Sequence, residues 1–440
     1  MDIKIMAPQK PFEGAIHIDG DKSITHRAIM ISSIANGVTK IDNFLASDDC
    51  LSTVNIIKDL GIKIIREDNT LFVHGKGLLG YLEPQKPLYA GNSGTTMRLM
   101  TGILSGQRML AILSGDKSLN SRPMERIISP LNDIGALIFG RNNNTYAPIV
   151  IASSKKINSF NYHSKIASAQ VKSAILFAAL YNDSISTYSE IFQSRDHTER
   201  MLKLFNADIN QDNNKIIISG KNSLSASNIK VPNDFSTASY FIALAALTEG
   251  SRLLLRYINV NETRIGLLKV LEKMGLKYEM LNYKVVSNEP TADLLINSSV
   301  LENIVVDKSQ IATMIDEIPL LAFIASQSKG DMIINGIEEL AYKESNRIKS
   351  TKYLFEKFGL DIIVEEDKMI ILNTKKNEQN NAKEIYINHF DDHRIAMTSI
   401  VMSLVLSKQI TMNNSQVINI SAPKFLNVIN EISKGAIKYV

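Results

Sequence analysis

The chain has 440 residues, 45% of them hydrophobic and 21% charged, with a formal net charge of +4 and a single cysteine. No apolar run approaches the roughly 18 residues of a membrane-spanning helix, the lone Cys50 excludes an internal disulfide and argues against a cysteine-ligated zinc site, and no dense basic run marks a nucleic-acid surface. The length lies beyond the size at which single cores divide, so two domains are expected.

In chain order the elements repeat. The start of the chain, Met1-Asp2-Ile3-Lys4-Ile5-Met6-Ala7-Pro8, lacks a secretory apolar core, so a cytoplasmic protein is expected. Asp21-Lys22-Ser23 opens a first apolar helix, Ser47-Asp48-Asp49 to Gly61 a second, and Leu71-Phe72-Val73 reads as a strand. The same sequence of elements returns from Asn92-Ser93-Gly94-Thr95, with Ser121-Arg122 to Gly135 and Ile149-Val150-Ile151. It returns from Ala167-Ser168-Ala169-Gln170, with Ser194-Arg195 to Asn206 and Ile216-Ile217-Ile218. A fourth copy starts at Asn233-Asp234-Phe235-Ser236 and continues through Thr263-Arg264 to Gly275. A fifth starts at Asp316-Glu317-Ile318-Pro319, with Asn346-Arg347 to Gly359 and Met369-Ile370-Ile371. A sixth starts at Asp391-Asp392-His393-Arg394 and ends with Ser421 to Ile432. Starts fall roughly 70 to 80 residues apart, so each copy is a whole βα-type unit.

The first helix of each repeat is apolar nearly all round, as in Tyr240-Phe241-Ile242-Ala243-Leu244-Ala245-Ala246-Leu247, and is expected to be buried. The second is amphipathic and is expected outside. Six repeats divide into two sets of three near Asn233, with no Pro-rich or Gly/Ser-rich linker there.

Helix N-termini carry unpaired N–H groups and partial positive charge, so buried helices gathered side by side would favour anions at one end. Lys22, Ser23 and Arg27 sit at the first start, Asn92 to Thr95 and Arg98 at the second, Ser168, Gln170 and Lys172 at the third, His393 and Arg394 at the sixth. The second helices add Arg122, Arg195, Arg264 and Arg347. These cations exceed the need of one anion and suit a pair of polyanionic ligands. A single arginine at a helix start is usually a solvated surface charge; Arg98 and Arg264 are assigned to that or to a supporting role. Asp316-Glu317 and Lys343-Glu344 read either as ordinary helix caps or as proton-transfer groups beside cations. Gly75-Lys76-Gly77-Leu78-Leu79-Gly80 matches a dinucleotide fingerprint but is followed by prolines rather than a helix, so that reading fails. The recurrence of Gly20-Asp21-Lys22-Ser23 as Gly115-Asp116-Lys117-Ser118 reads as chance, and the histidines lack metal-ligand spacing.

Eight ordered motifs resemble the 5-enolpyruvylshikimate-3-phosphate synthase family. They are Gly20 to Arg27, Gly91 to Arg98, Ser121 to Met124, Ala167 to Ala174, Ser194 to Glu199, Ile315 to Pro319, Lys343 to Arg347 and Asp392 to Arg394. The resemblance implies an α/β fold, a two-domain inside-out barrel of six βαβαββ units. The first domain would span 19–235 and the second 1–18 plus 236–440, with the active site in the cleft between them. It implies transfer of the enolpyruvyl group of phosphoenolpyruvate to the 5-hydroxyl of shikimate 3-phosphate, with no metal or organic cofactor. The expected partners are these two small molecules, with no nucleic acid and no membrane, and the protein is expected to be a monomer.

Carried over residue by residue, the resemblance places shikimate 3-phosphate on Lys22, Ser23, Arg27, Ser168, Gln170, Ser194, Arg195, Asp316 and Lys343. It places phosphoenolpyruvate on Lys22, Asn92, Gly94, Arg122, Gln170, Arg347, His393 and Arg394. Asp316 is the expected base at the 5-hydroxyl with Lys343 orienting it, and Glu344 the proton carrier at the methylene carbon with Lys22 as second candidate. Two departures stand out. Ile420 occupies a place where many members carry a substrate-binding lysine, with Lys424 displaced by four, and Ser168-Ala169-Gln170 lacks one hydroxyl. Both resemble a variant class in which glyphosate tolerance occurs, but Gly94 leaves room for that inhibitor and tolerance is not expected. The alternatives are the sister transferase acting on UDP-N-acetylglucosamine, which uses a loop cysteine, and a non-catalytic anion- or RNA-binding scaffold.

Overall fold

The computed structural model describes every residue except 1, 7, 9, 153–155, 213, 221, 374–383 and 440. Met1 and Ala7 of the N-terminal stretch therefore lie outside the described residues. The chain forms two compact lobes. The first lobe is Gly20–Val231 with Val285–Glu289; the second is Met1–Asp19, Pro232–Lys284 and Pro290–Val440. No described helix is long and apolar enough to cross a membrane.

The helices are α1 (Lys22–Ser33), α2 (Asp48–Asp59), α3 (Gly94–Ser105), α4 (Glu125–Asp133), α5 (Ala169–Ala179), α6 (His197–Leu204), α7 (Phe235–Leu247), α8 (Gly266–Lys273), the short α9 (Lys308–Ile311), α10 (Ile318–Ser326), α11 (Arg347–Phe358), α12 (His393–Leu406) and α13 (Phe425–Ile432). The described strands form six four-stranded sheets. In each, one edge strand runs parallel to its neighbour and the next pairing is antiparallel. The strand-like runs around Leu71, Ile149, Ile216 and Met369 are strands. Strand Ile3–Ile5 joins the sheet of the sixth repeat, between the strands carrying Met412 and Tyr439.

The helices that are apolar all round are the buried ones, as their sequence requires. Phe241, Leu244 and Ala245 of α7 and Leu321, Phe323 and Ile324 of α10 are fully buried. Helices α7, α10 and α12 touch one another in the second lobe; α3 touches α1 and α5 in the first. Five of these six helices begin on a side-chain cap. Asp21 accepts from Ile24 N, Ser93 from Thr96 N, Ser168 from Val171 N, Asp234 from Thr237 N and Asp392 from Arg394 N. Each cap stabilises its helix by about 1 kcal/mol and fixes where the first turn begins. Helix α10 starts instead with Pro319 in its first turn, where the missing N–H costs nothing.

Gly102 sets the spacing of α3 and α5. A Cβ there would lie 2.2 Å from the Ala174 carbonyl oxygen, so only glycine lets the two backbones come this close. The approach brings the first turns of the two helices together, and with them Arg98 and Gln170.

Candidate active site

In the first lobe the starts of α1, α3 and α5 converge through side chains. Arg27 is 2% exposed and donates to Ser23 O (3.0 Å), Thr198 Oγ1 (2.7 Å) and Ser173 Oγ (2.8 Å). These partners are neutral, and burial lowers its pKa to about 10 while Glu199 opposes the shift. Lys22 pairs with Asp49 at 2.9 Å. Arg98 donates to Gln170 Oε1 (2.5 Å), and Gln170 Nε2 donates to Thr95 Oγ1 (3.1 Å). Arg98 thus holds the Gln170 amide in place.

A second chain of contacts runs through Asn92. Asp116 Oδ2 accepts from Asn92 Nδ2 (2.7 Å), and Asn92 Oδ1 accepts from Arg122 (2.5 Å), whose other nitrogen reaches Asn92 O (3.3 Å). The two copies of Gly-Asp-Lys-Ser share one local contact. Asp21 accepts from the N–H three residues on, Ile24, and Asp116 does the same for Leu119. Each aspartate caps the turn behind a site segment. Gly94 lies beside both guanidinium groups, its missing Cβ position 3.4 Å from Arg98 and 3.5 Å from Arg122.

Ser194 is held from three sides. Glu190 accepts from its N–H (2.7 Å) and its hydroxyl (2.9 and 2.8 Å), and Lys172 Nζ donates to its carbonyl (3.0 Å). Lys172, read above as a ligand donor, instead spends its ammonium on this carbonyl, Glu190 and Glu199. Burial opposes its charge, but the two carboxylates outweigh burial and raise its pKa. His197 is fully buried, with Nδ1 2.8 Å from Glu289 Oε1. Ser23 and Arg195 are half-buried.

The second lobe gathers three acids around one arginine. Arg347 Nε donates to Asp392 (2.9 Å), and its two terminal nitrogens reach Asp316 (3.1 Å) and Glu344 (2.5 Å). Its side chain is 1% exposed, against 19% for Asp316 and 21% for Glu344. Burial works against the charge, but Asp392, Glu344 and Asp316 prevail and hold Arg347 well above its ordinary range. Asp392 also accepts from Ser345 N (3.3 Å) and Oγ (3.0 Å), which fixes the turn carrying Lys343 and Glu344.

The starts of α7, α10 and α12 meet on Glu317. Its carboxylate accepts from Ser236 and Arg264 (3.2 Å) and lies 3.9 Å from Arg394. Arg264 is 2% exposed, so it is a buried structural cation rather than a solvated one. Burial opposes ionisation of Arg394, yet Tyr240, Asp316 and Glu317 raise its pKa. His393 is 2% exposed and Lys343 half-buried. Ile420 packs against the core of this lobe, and Lys424 pairs with Asp19 (3.4 Å). The sequence motifs did not single out Asp49, Asp116 or Glu190 as site-supporting acids. A signal for Asp116 was present in its repeat of the capping tetrapeptide at Asp21.

Cys50 is buried in α2 and burial pushes its thiol pKa up. No cluster of three metal-ligating acids, histidines or cysteines occurs among the described residues.

The family model for EPSP synthase (3-phosphoshikimate 1-carboxyvinyltransferase) matches residues 6–429. A 3-phosphoshikimate 1-carboxyvinyltransferase of Petrotoga mobilis is 44% identical over 97% of this chain and 98% of its own. One from Syntrophomonas wolfei is 41% identical over 98% and 99%. The EPSP synthase structure from Acinetobacter baumannii superposes with a TM-score of 0.85 at 35% identity over 99% of both chains. The enolpyruvyl transferase NikO from Streptomyces tendae, at 13% identity and TM-score 0.77 over 100% of this chain and 98% of its own, shares the fold. The six-sheet α/β architecture is that of the enolpyruvyl transferases, and the chain belongs to the EPSP synthase (3-phosphoshikimate 1-carboxyvinyltransferase) family.

Proposed function

We infer that this chain transfers the enolpyruvyl group of phosphoenolpyruvate to the 5-hydroxyl of shikimate 3-phosphate and releases phosphate by addition and elimination. The observation that carries the reading is the Arg347 guanidinium bridging Asp316 and Glu344, two acids of the kind that move protons beside a site for anions.

Asp316 takes the proton of the 5-hydroxyl, with Lys343 orienting it. Glu344 adds and then removes a proton at the methylene carbon, with Lys22 as the second candidate for that step. Lys22, Ser23, Arg27, Ser168, Gln170, Ser194 and Arg195 bind shikimate 3-phosphate together with Asp316 and Lys343. Lys22, Asn92, Gly94, Arg122, Gln170, Arg347, His393 and Arg394 bind phosphoenolpyruvate. Placing several cations against two polyanions offsets the charge that would otherwise keep the substrates apart. The buried Cys50 thiol counts against the sister reaction, which needs an accessible loop cysteine. The protein acts as a cytoplasmic monomer on small molecules and needs no nucleic acid.

The test is inorganic phosphate release with phosphoenolpyruvate and shikimate 3-phosphate, each omitted in turn. Release that needs both is expected. Release with UDP-N-acetylglucosamine in place of shikimate 3-phosphate would overturn the reading, as would silence with either acceptor. Glu344→Gln separates enzyme from binding scaffold: turnover is expected to fall by roughly 100-fold or more.

A further inference from the structure

Ser194 is clamped at its N–H, hydroxyl and carbonyl by one carboxylate and one ammonium, both buried. The side chains of Lys172, Glu190 and Glu199 are 2%, 4% and 8% exposed, so water screens them little. Lys172 Nζ sits 3.1 Å from Glu190 Oε1 and 2.9 Å from Glu199 Oε1, a single cation against two acids.

A serine hydroxyl has one proton, and here Glu190 receives it at both carboxylate oxygens. To donate to a sugar phosphate, Ser194 must turn that proton away from Glu190. The carboxylate it leaves behind then stands buried behind a bound dianion, which is costly unless a cation stays with it. Lys172 is placed to be that cation, and it simultaneously fixes the Ser194 carbonyl.

We propose that Lys172 is a positioning residue for sugar-phosphate binding: it fixes the Ser194 turn and neutralises Glu190, so that the Ser194 hydroxyl can be released to the phosphate of shikimate 3-phosphate. Lys172 does not touch the substrate. The proposal rests on the reading of Ser194 as a shikimate 3-phosphate contact.

The test measures shikimate 3-phosphate affinity by calorimetry, and KM for both substrates, in Lys172→Met, Lys172→Arg and the double variant K172M/E190Q. Lys172→Met is expected to weaken shikimate 3-phosphate binding about tenfold or more while KM for phosphoenolpyruvate changes less than about threefold. Lys172→Arg, which keeps the charge, should recover most of the loss. The double variant removes the carboxylate that faces the Ser194 hydroxyl, with Glu199 left as the one acid Lys172 had balanced, and should also recover much of the loss; a merely structural lysine would not be rescued this way. Unchanged affinity in Lys172→Met overturns the proposal, as does equal loss of both substrates with no recovery in the double variant. Should Lys172→Met alone not fold, a double variant binding more than about thirtyfold weaker than Lys172→Arg overturns it. Wild-type protein that releases no phosphate with both substrates overturns the functional reading instead, so the two failures are distinguishable.

Discussion

Asp392 Oδ2 and Arg347 Nε meet at 2.9 Å with neither side chain more than 1% exposed. The same carboxylate caps Arg394 N (2.9 Å) and holds Ser345 next to Glu344. One buried acid therefore fixes the Arg347 guanidinium, the first turn of α12 and the turn that carries Glu344. Asp392→Asn keeps the shape and a capping oxygen but removes the charge. Arg347 retains Asp316 and Glu344, so the fold should survive with a loss of about 1 to 3 kcal/mol. Steady-state kinetics should show kcat/KM for phosphoenolpyruvate reduced by roughly 10- to 100-fold. Unaltered kinetics would remove Asp392 from the account.

Gly94→Ala should separate the two substrates. The added methyl makes ordinary contacts with Arg98, Arg122 and Leu119 at 3.4, 3.5 and 3.8 Å, so the helix start tolerates it. It also covers the guanidinium groups from an approaching anion. One methyl in a tight pocket is worth about 1 to 3 kcal/mol, so KM for phosphoenolpyruvate should rise roughly 10- to 100-fold. KM for shikimate 3-phosphate should move much less, and equal shifts in both would contradict the placement of Gly94.

Acid stability should carry the signature of His26. It is fully buried in α1, Nδ1 meets Thr53 Oγ1 at 2.7 Å, and Nε2 has no hydrogen-bond partner among the described residues. Burial first, then Lys22 and Arg27, hold its pKa well below 6.5. The folded state thus keeps the ring neutral where the unfolded chain binds a proton. The stability this represents is complete above pH 6.5 and is lost as pH falls below it, by up to about 1.4 kcal/mol per pH unit. Urea midpoints measured from pH 7 to pH 5 should fall along that slope, and His26→Asn should flatten it.

Cys50 should be chemically silent. Its sulfur sits 3.9 Å from the Lys22 carbonyl, fully buried, with a raised thiol pKa. A thiolate is the reactive species, so iodoacetamide at pH 8 should label the protein only after unfolding and should leave activity intact. Rapid labelling of the folded protein with loss of turnover would reopen the cysteine-dependent alternative.

Much of the scaffold was legible in the sequence because all-apolar runs such as Tyr240–Leu247 can only be core, and because polar starts such as Asp234-Phe235-Ser236 carry their own cap. The candidate cations could be picked out for the same reason: they stand next to those caps. Their partners were less so. Lys22 finds Asp49 27 residues away, Asn92 finds Asp116 24 away, and Arg347 finds Asp392 45 away. No local period encodes such pairings; tertiary packing chooses them. Lys172 was misjudged on this account, since a cation at a helix start looks alike whether it awaits a ligand or already balances buried acids. The parallel edge strands Leu88–Tyr89, Ile229–Lys230 and Val305–Val306 have two residues each, too few to display alternation.

The pairing of strand Ile3–Ile5 with the strands carrying Met412 and Tyr439 has a consequence for biosynthesis. Strand Ile3–Ile5 is synthesised some four hundred residues before the strands around Met412 and Tyr439 that flank it. Throughout translation Ile3 and Ile5, both fully buried at the end, wait as an exposed apolar edge while the first lobe has all of its main segment, Gly20–Val231, available to fold. A nascent chain stalled short of residue 410 should therefore present a finished first lobe tethered to an incomplete second one, and that waiting edge is where a chaperone would be needed.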